Sequence, residues 1–168
     1  MPLVLDGGNV VKAVLNDKPC MIMCEKVLKE NNVDSKNGTE VDGFRNWWKE
    51  WWKENFDGTE MELVLLPWEG RELNPIGQAD GMVRYIGNNS VLMTNYKDFD
   101  KSYEDYSGEK DDFWKKMRSA LVNAGFKDKD IKELEFWDKF KEDKMFNLLF
   151  DRSWCYINFL QLENRILV

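Results

Sequence analysis

The sequence predicts an α/β fold of repeated hairpin-helix-strand units, forming a single domain over residues 1–168. Three observations support this prediction. Strand signals alternate with amphipathic helix signals along the chain, and turns rich in Gly, Asn and Asp divide the strands into hairpins. The same order of elements then begins again. Asp6 precedes the first hairpin, and Asp80, 74 positions later, precedes the second. A period of this length indicates supersecondary units arranged in a row or around an axis.

The first unit opens with a predicted hairpin. Its strands, Val10–Leu15 and Cys20–Met23, flank a turn at Asn16–Pro19. A helix follows, with Asp42 as its expected N-cap, because a short acidic side chain can accept hydrogen bonds from the first free N–H groups of a helix. A returning strand is predicted at Glu62–Pro67, so the unit consists of a hairpin, a helix and a strand.

The helix of the first unit carries aromatic residues at the spacing that places them on one helical face. These residues are Phe44, Trp47, Trp48, Trp51 and Trp52. The spacing favours packing in the core or at an interface over a platform for carbohydrate or cations. Four tryptophans are many for one helix of a small domain, so any exposed remainder would mark a protein–protein surface.

The remaining sequence repeats this order once and begins it a third time. The predicted elements are a hairpin at 81–93, a helix that begins at Asp111 or Asp112 and stops at Gly125, a strand at Ile131–Phe136 and a hairpin at 156–168. The chain therefore holds about two units and the start of a third. An incomplete set of units leaves either an open strand edge or an edge that another chain covers.

The charge distribution argues against a nucleic-acid partner. The formal net charge is -7, and the 24 Lys and Arg residues are interspersed among 31 Asp and Glu residues. Binding that releases counterions from nucleic acid needs clustered cationic side chains. An acidic surface would instead attract cationic ligands or a basic protein partner.

The absence of histidine limits the chemistry that this sequence can perform. No Ser-His-Asp or Cys-His nucleophile pair can form without it, and the usual proton shuttle near neutral pH is lacking. Cys20 and Cys24 lie close in sequence but lack the further ligands that zinc requires. We therefore expect no metal and no cofactor, and we assign no residue a catalytic role.

The cysteines and the N-terminus predict a cytoplasmic location. Cys20, Cys24 and Cys155 cannot all pair, and each lies in or beside an apolar strand, which favours core packing over a reactive thiolate. The N-terminus lacks a basic region followed by a long apolar stretch, and no run of 18 apolar residues exists. We therefore expect a reducing compartment and no membrane partner.

Several segments at the corners of the repeat follow the order of a known family. They are Leu5–Asn9, Cys24–Asn31, Leu65–Trp68, Pro75–Ile86, Cys155–Leu160 and Asn164–Val168. Together they resemble the agmatine and peptidylarginine deiminase family. The resemblance extends over nearly the whole chain, and Pro75–Ile86 is its most specific part.

The resemblance implies both a fold and a chemistry. The family is a pentein-type α/β propeller of five units, whose members hydrolyse or transfer guanidino groups. In this chemistry a cysteine thiolate attacks the guanidinium carbon and carboxylates hold the guanidinium nitrogens. A histidine protonates the leaving ammonia and then activates water. This chain would then form part of such a propeller.

Three residues are candidate ligand-binding groups under this resemblance. Asp6 stands where the family has the acid before its double glycine, and Asp80 where it has the carboxylate of its His-x-Asp pair. Gln78 replaces that histidine and can form hydrogen bonds but cannot carry a proton at neutral pH. Each has a plainer interpretation, since Asp6 and Asp80 precede glycines as turn residues do, and Gln78 could be a polar loop residue. Gly7 and Gly8 are expected at positive φ, which other residues resist.

Two further departures from the family favour a protein that does not catalyse the reaction alone. The family's first unit, which brings another guanidinium-binding aspartate, has no counterpart, and its last unit, which brings the nucleophilic cysteine, would begin beyond Val168. We therefore expect a catalytically incomplete deiminase relative that acts as a binding or interaction protein, with a guanidinium small molecule as its candidate ligand.

Two alternatives remain open at this point. One is a deiminase whose missing cysteine and histidine come from another chain. The other is a structural homo-oligomer that completes the ring with copies of itself. In both cases the strand edges and apolar faces left open between units predict a homo-oligomer or a partner chain.

Overall fold

The computed structural model describes residues 3–68, 78–94, 111–134, 160–162 and 165–167. Within these ranges the chain has a mixed α/β fold with two three-stranded sheets and one two-stranded sheet. The α/β class predicted from the sequence is confirmed. No helix in the described ranges combines the length and the apolar character needed to cross a bilayer.

The first unit consists of β1 (Val11–Leu15), β2 (Lys18–Cys24), α1 (Lys26–Glu30), α2 (Gly38–Asn55) and β3 (Glu62–Leu66). β1 and β2 form an antiparallel hairpin, and β3 pairs parallel with β2 after the chain has crossed over through α2. The predicted order of hairpin, helix and strand is therefore confirmed, with α1 as an additional short helix.

The second unit repeats this arrangement with β4 (Val83–Gly87), β5 (Ser90–Thr94), α3 (Asp111–Ala124) and β6 (Ile131–Leu134). β4 and β5 are antiparallel, and β6 is parallel to β5. β1 begins at residue 11 and β4 at 83, while β2 begins at 18 and β5 at 90, which is a shift of 72 residues in both cases. The internal repeat is therefore present in the structure as well as in the sequence.

The shift of 72 residues is close to the spacing of 74 residues found in the sequence. With this shift Asp6 corresponds to Gln78. The strands set the equivalence because both hairpins close with a two-residue turn of the same type. The turn residues all have positive φ, as such turns require, and they are Asn16, Asp17, Asn88 and Asn89.

A third hairpin is formed by β7 (Leu160–Leu162) and β8 (Arg165–Leu167), which pair antiparallel. The hairpin predicted at 156–168 is confirmed over these two strands. Residues 156–159, 163, 164 and 168 lie outside the described residues, as do the last two residues of the strand predicted at Ile131–Phe136.

The prediction that Asp42 caps the long helix is wrong. The N-cap of α2 is Asn37, five residues before Asp42, and its side chain accepts a hydrogen bond from the Glu40 N–H at 3.4 Å. The Asn37 amide in turn donates to the Glu40 carboxylate at 2.9 Å. This reciprocal pairing of residues three apart gives one N–H of the first turn a side-chain acceptor and favours a helix start at Gly38.

Two hydrophobic clusters lie on opposite faces of the first sheet. On one face Met21 and Leu63 pack with Trp48 of α2. On the other face Ile22 and Val64 belong to a larger cluster that extends into the second unit. The sheet is therefore buried on both sides, which explains why β2 and β3 are continuous apolar runs without alternation.

α3 fills the space between the first and second sheets. Its residues Met117 and Leu121 are completely buried in the cluster that contains Ile22 of the first sheet and Met93 of the second. Burying a side chain of this size stabilises the fold by about 1.5–3 kcal/mol. α3 therefore binds the two units into one body.

The aromatic face of α2 is only partly buried in the hydrophobic cluster that contains Met21 and Leu63. Phe44 and Trp48 are buried, which confirms core packing for these two residues. Trp47, Trp51 and Trp52 are partly buried against the same cluster. Trp52 stacks on Phe56 with their ring centroids 4.1 Å apart, and Phe56 is 45% exposed, so the aromatic row reaches the surface.

The side chain of Asn9 joins the two units next to their first strands, and it is almost completely buried. Its Oδ1 accepts hydrogen bonds from the backbone N–H groups of Cys24, at 2.6 Å, and Ala79, at 3.2 Å. Its Nδ2 donates to the Cys24 carbonyl at 3.1 Å. One carboxamide therefore satisfies backbone groups of both units.

We expect Asn9→Ala to lower the free energy of unfolding by about 2–4 kcal/mol, because it leaves three buried backbone groups without their partner. Asn55→Ala is the matched control, since Asn55 is exposed and forms one hydrogen bond, to the Trp51 carbonyl. It should cost about 0.5 kcal/mol or less. Urea unfolding followed by circular dichroism measures both, and equal losses in the two variants would contradict the account.

Candidate functional site

Two short 3₁₀ turns, Gly7–Asn9 and Ala79–Gly81, lie in contact with each other. They occupy equivalent places in the two units, immediately before β1 and β4. Asp6 is the N-cap of the first turn and Gln78 is the N-cap of the second. The structure therefore brings the three predicted ligand-binding residues, Asp6, Gln78 and Asp80, onto one pair of adjacent turns.

The carboxylate of Asp6 accepts three hydrogen bonds. The Gln78 amide donates to Oδ2 at 2.9 Å, and the Gly8 N–H donates to Oδ1 at 3.2 Å. The ammonium of Lys26 donates to Oδ2 at 3.2 Å. The Gln78 hydrogen bond, followed by Lys26 and Gly8, lowers the pKa of Asp6 although partial burial opposes this. Asp6 is therefore held ionised, and Gln78 is more than a polar loop residue.

Lys26 is a member of this site that the sequence did not reveal. Its ammonium lies 3.2 Å from Asp6 Oδ2 and 3.3 Å from Oε1 of Glu30. The hydrogen bond to Asp6 is the main reason that the pKa of Lys26 is raised. The i,i+4 spacing of Lys26 and Glu30 favours an ion pair between them, but nothing in the sequence connected either residue to Asp6.

Asp80 differs from Asp6 in its electrostatic state. Burial raises the pKa of Asp80, and the negative charge of Asp6 raises it further. The Gly81 N–H and the Arg84 guanidinium act in the opposite direction. The charge of Asp6 therefore acts on Asp80. The pKa of Asp6 lies below the ordinary aspartate value, and that of Asp80 lies above it.

Gly8 is required by space and not by backbone conformation. Neither Gly7 nor Gly8 has the positive φ that was expected. A Cβ added to Gly8 would lie 2.8 Å from the Gln78 side chain, whereas a Cβ on Gly7 would meet nothing within 4 Å. Gly8 thus allows the Gln78 amide to reach Asp6.

Asn31 fixes the segment that leads into Asp6. Its side chain donates to the carbonyls of Val4 and Val27 at 2.9 and 2.8 Å, and it accepts a hydrogen bond from the Val4 N–H at 3.0 Å. Asn31 is a buried polar residue at the C-terminal end of α1. It holds the approach to the first turn against α1.

Comparison with solved structures identifies the fold to which these turns belong. Agmatine deiminase of C. jejuni matches 99% of this chain with a TM-score of 0.54 and 20% sequence identity. The chain shares its fold with part of agmatine deiminase. It spans 42% of that protein's length.

Two further structures show weaker likeness. A Cys-to-Ser variant of C. jejuni agmatine deiminase with substrate bound matches 99% of this chain and 38% of its own, at a TM-score of 0.48 and 20% identity. A protein provisionally named peptidyl-arginine deiminase matches 81% of this chain and 36% of its own, at a TM-score of 0.46 and 18% identity. No protein-family model and no curated protein matches the sequence.

The two described cysteines pack in the core of this deiminase-like fold, as the sequence predicted. Cys20 and Cys24 are buried thiols that are not joined in disulfides. Burial raises the pKa of Cys20 to about 11 and that of Cys24 to about 12. Neither thiol therefore forms a thiolate at neutral pH. The prediction for Cys155 falls outside the described residues.

Within the described residues, the paired turns neither form a metal site nor line the cleft between β3 and α3. Among the described residues, no group of three or more His, Cys, Asp or Glu could hold one metal ion. A cleft of about 790 Å³ lies between β3 and α3, with Glu25, Arg45 and Glu62 among its lining residues. None of the three predicted ligand-binding residues lines it, so we base the candidate site on the paired turns and not on this cleft.

We expect Gly8→Ala to lower the free energy of unfolding by about 1–2 kcal/mol, because the new methyl group pushes the Gln78 amide away from an ionised carboxylate. Gly7→Ala is the matched control and should be close to neutral. In a Gln78→Ala background the cost of Gly8→Ala should fall to about 0.5 kcal/mol or less. Chemical unfolding of the four variants tests this, and an undiminished cost in that background would show that Gln78 is not the reason for Gly8.

Proposed function

We propose that this chain binds a guanidinium group between Asp6 and Asp80, and that it does not complete deiminase chemistry by itself. The proposal is carried by the ionised Asp6, whose carboxylate accepts hydrogen bonds from three donors. The charge of Asp6 in turn raises the pKa of a second carboxylate, that of Asp80. A planar guanidinium offers five N–H donors in a fixed fork and suits two carboxylates better than a compact ammonium does. Its positive charge would also relieve the repulsion between them.

The groups around this site support incomplete chemistry. Gln78 stands where the deiminase family has its histidine, and its amide cannot transfer a proton at neutral pH. Proton transfer by a histidine is worth about 10²–10⁴-fold in rate. Cys20 and Cys24 are buried thiols with a raised pKa and do not provide a nucleophile. What this leaves is recognition of the guanidinium group.

A deiminase completed by another chain is the second candidate. The observation in its favour is the fold shared with agmatine deiminase, of which this chain matches 42% of the length. A partner that brings a cysteine and a histidine to the paired turns would supply the missing nucleophile and proton shuttle. Release of ammonia from agmatine by such a mixture, lost on removal of the partner's cysteine, would favour this candidate over the first.

We also propose that the protein associates with a second copy or a partner chain. The aromatic row on α2 supports this, because Phe56 is 45% exposed and stacks on the half-buried Trp52. Light scattering that shows a monomer at micromolar concentration would contradict it. The cytoplasm remains our proposed location, since the two described cysteines, Cys20 and Cys24, are not joined in disulfides.

We expect millimolar agmatine or arginine to raise the melting temperature of the protein. A ligand at ten times its Kd stabilises the folded state by about 1.4 kcal/mol, which corresponds to about 3–6 °C for a chain of this length. Urea at the same concentration is a neutral, similarly shaped control and should have no effect. Differential scanning fluorimetry is the measurement.

Asp80→Asn is the decisive variant in this experiment. Because the folded-state pKa of Asp80 is raised, its ionised form disfavours folding at neutral pH and stability gains from its protonation as the pH falls. The variant should therefore be no less stable than the wild type without ligand and should lose the response to agmatine. Asp17→Asn removes the same charge at an exposed turn and should keep the response. An equal shift in Asp80→Asn and wild type would disprove binding at this site.

A further inference from the structure

The ammonium of Lys26 already occupies part of the proposed guanidinium site. It lies 3.2 Å from Asp6 Oδ2 and 3.3 Å from Glu30 Oε1, so it is placed between two carboxylates. The three side chains are between 23% and 32% exposed, which leaves the pair partly shielded from water. An ion pair in such a place is worth more than one on an open surface.

The Asp6 carboxylate can accept few further hydrogen bonds while the Lys26 ammonium is bound to it. Its Oδ1 accepts from the Gly8 N–H, and its Oδ2 accepts from both Gln78 and Lys26. A guanidinium that binds Asp6 side-on uses both carboxylate oxygens, so it must displace one of these donors. Lys26 is the donor that such a ligand replaces charge for charge, and it sits on a flexible four-carbon stem.

Glu30 offers the displaced ammonium another position. Its Oε1 already accepts Lys26, and its Oε2 is buried with no hydrogen-bond partner in the described part of the chain. Glu30 lies one helical turn from Lys26 on α1, so a rotation of the lysine side chain is sufficient for it to engage both oxygens. Oε2 of Glu30 would therefore accept a hydrogen bond from Lys26 only when the ammonium leaves Asp6.

We infer that Lys26 is a built-in competitor for the ligand, exchanging between Asp6 in the empty site and Glu30 in the occupied one. This inference rests on the proposed guanidinium-binding function and deepens it, because it specifies which cations the site admits. A ligand with a single ammonium would only exchange one ammonium for another at Asp6. A guanidinium gains a second, parallel hydrogen bond and can displace Lys26. The site is thereby selective for guanidinium compounds over primary amines.

The inference is tested by titrating methylguanidinium and methylammonium into wild-type protein and variants, with calorimetry as the readout. Lys26→Met keeps the apolar stem and removes the competitor, so it should bind methylguanidinium about 3–10-fold more tightly and discriminate less against methylammonium. Lys29→Met is the charge-matched control, since Lys29 is on the same helix but lies over the Trp68 ring. It should change the Kd by about 2-fold at most.

Glu30→Gln provides an independent arm of the same experiment. It removes the charge that receives the displaced ammonium, so it should weaken methylguanidinium binding about 2–5-fold in the wild-type background. In a Lys26→Met background it should have no such effect, because no ammonium has to be received. Melting temperatures establish that each variant is folded, and Lys26→Gln is the substitute should Lys26→Met fail to fold.

The possible outcomes separate the inference from the function on which it rests. Binding by the wild type that is lost in Asp6→Asn, but not tightened by Lys26→Met, would overturn the competitor and leave guanidinium binding intact. Equal tightening by Lys29→Met would overturn it as well, because the effect would then be one of general charge. No binding by the wild type or by Lys26→Met would overturn both proposals together.

Discussion

The buried carboxamide of Asn9 is the interaction on which the arrangement of this protein depends. Each unit has its own hairpin and helix, and α3 packs between the two sheets. Packing alone does not position the two 3₁₀ turns accurately enough for hydrogen bonds to form between them. Asn9 supplies that accuracy by bonding the end of β2 and the Ala79 N–H of the second unit through one planar group. Because all of its donors and acceptors are buried, any relative shift of the turns costs unsatisfied backbone groups.

The properties of the candidate site follow from this joint. Once the turns are fixed, the Gln78 side chain lies so close to Gly8 that an added methyl group would have to displace it, and its amide reaches Asp6. Asp6 is then surrounded by donors and stays ionised, whereas Asp80 on the opposite turn is half-buried and its pKa is raised by this burial and by the charge of Asp6. The pKa values of two chemically identical side chains are thus shifted in opposite directions by their surroundings. A site of this kind attracts a cation, and the ammonium of Lys26 is the cation that lies beside Asp6 in the structure.

The sequence predicted those features that depend on neighbours in the chain. Hairpins, helices and returning strands follow from periodicity and turn residues, and the family resemblance pointed to Asp6, Gln78 and Asp80. The sequence failed where distant segments meet. Asn9 appeared to be an ordinary turn residue, and nothing local connected Lys26 with a carboxylate 20 residues away. The start of α2 was misplaced for a different reason, because two acceptable caps lay close together and only the structure shows which one is used.

A titration of the aspartate side-chain carboxyls by heteronuclear NMR, in the wild type and in Asn9→Ala, tests the central claim most directly. In the wild type the pKa of Asp6 should lie below the ordinary aspartate value and that of Asp80 above it. Releasing the turns in a still folded Asn9→Ala variant should move both pKa values towards the ordinary one, because Gln78 and Asp6 then separate and Asp80 becomes more exposed. Unchanged pKa values in that variant, or ordinary values in the wild type, would contradict the view that Asn9 assembles the site.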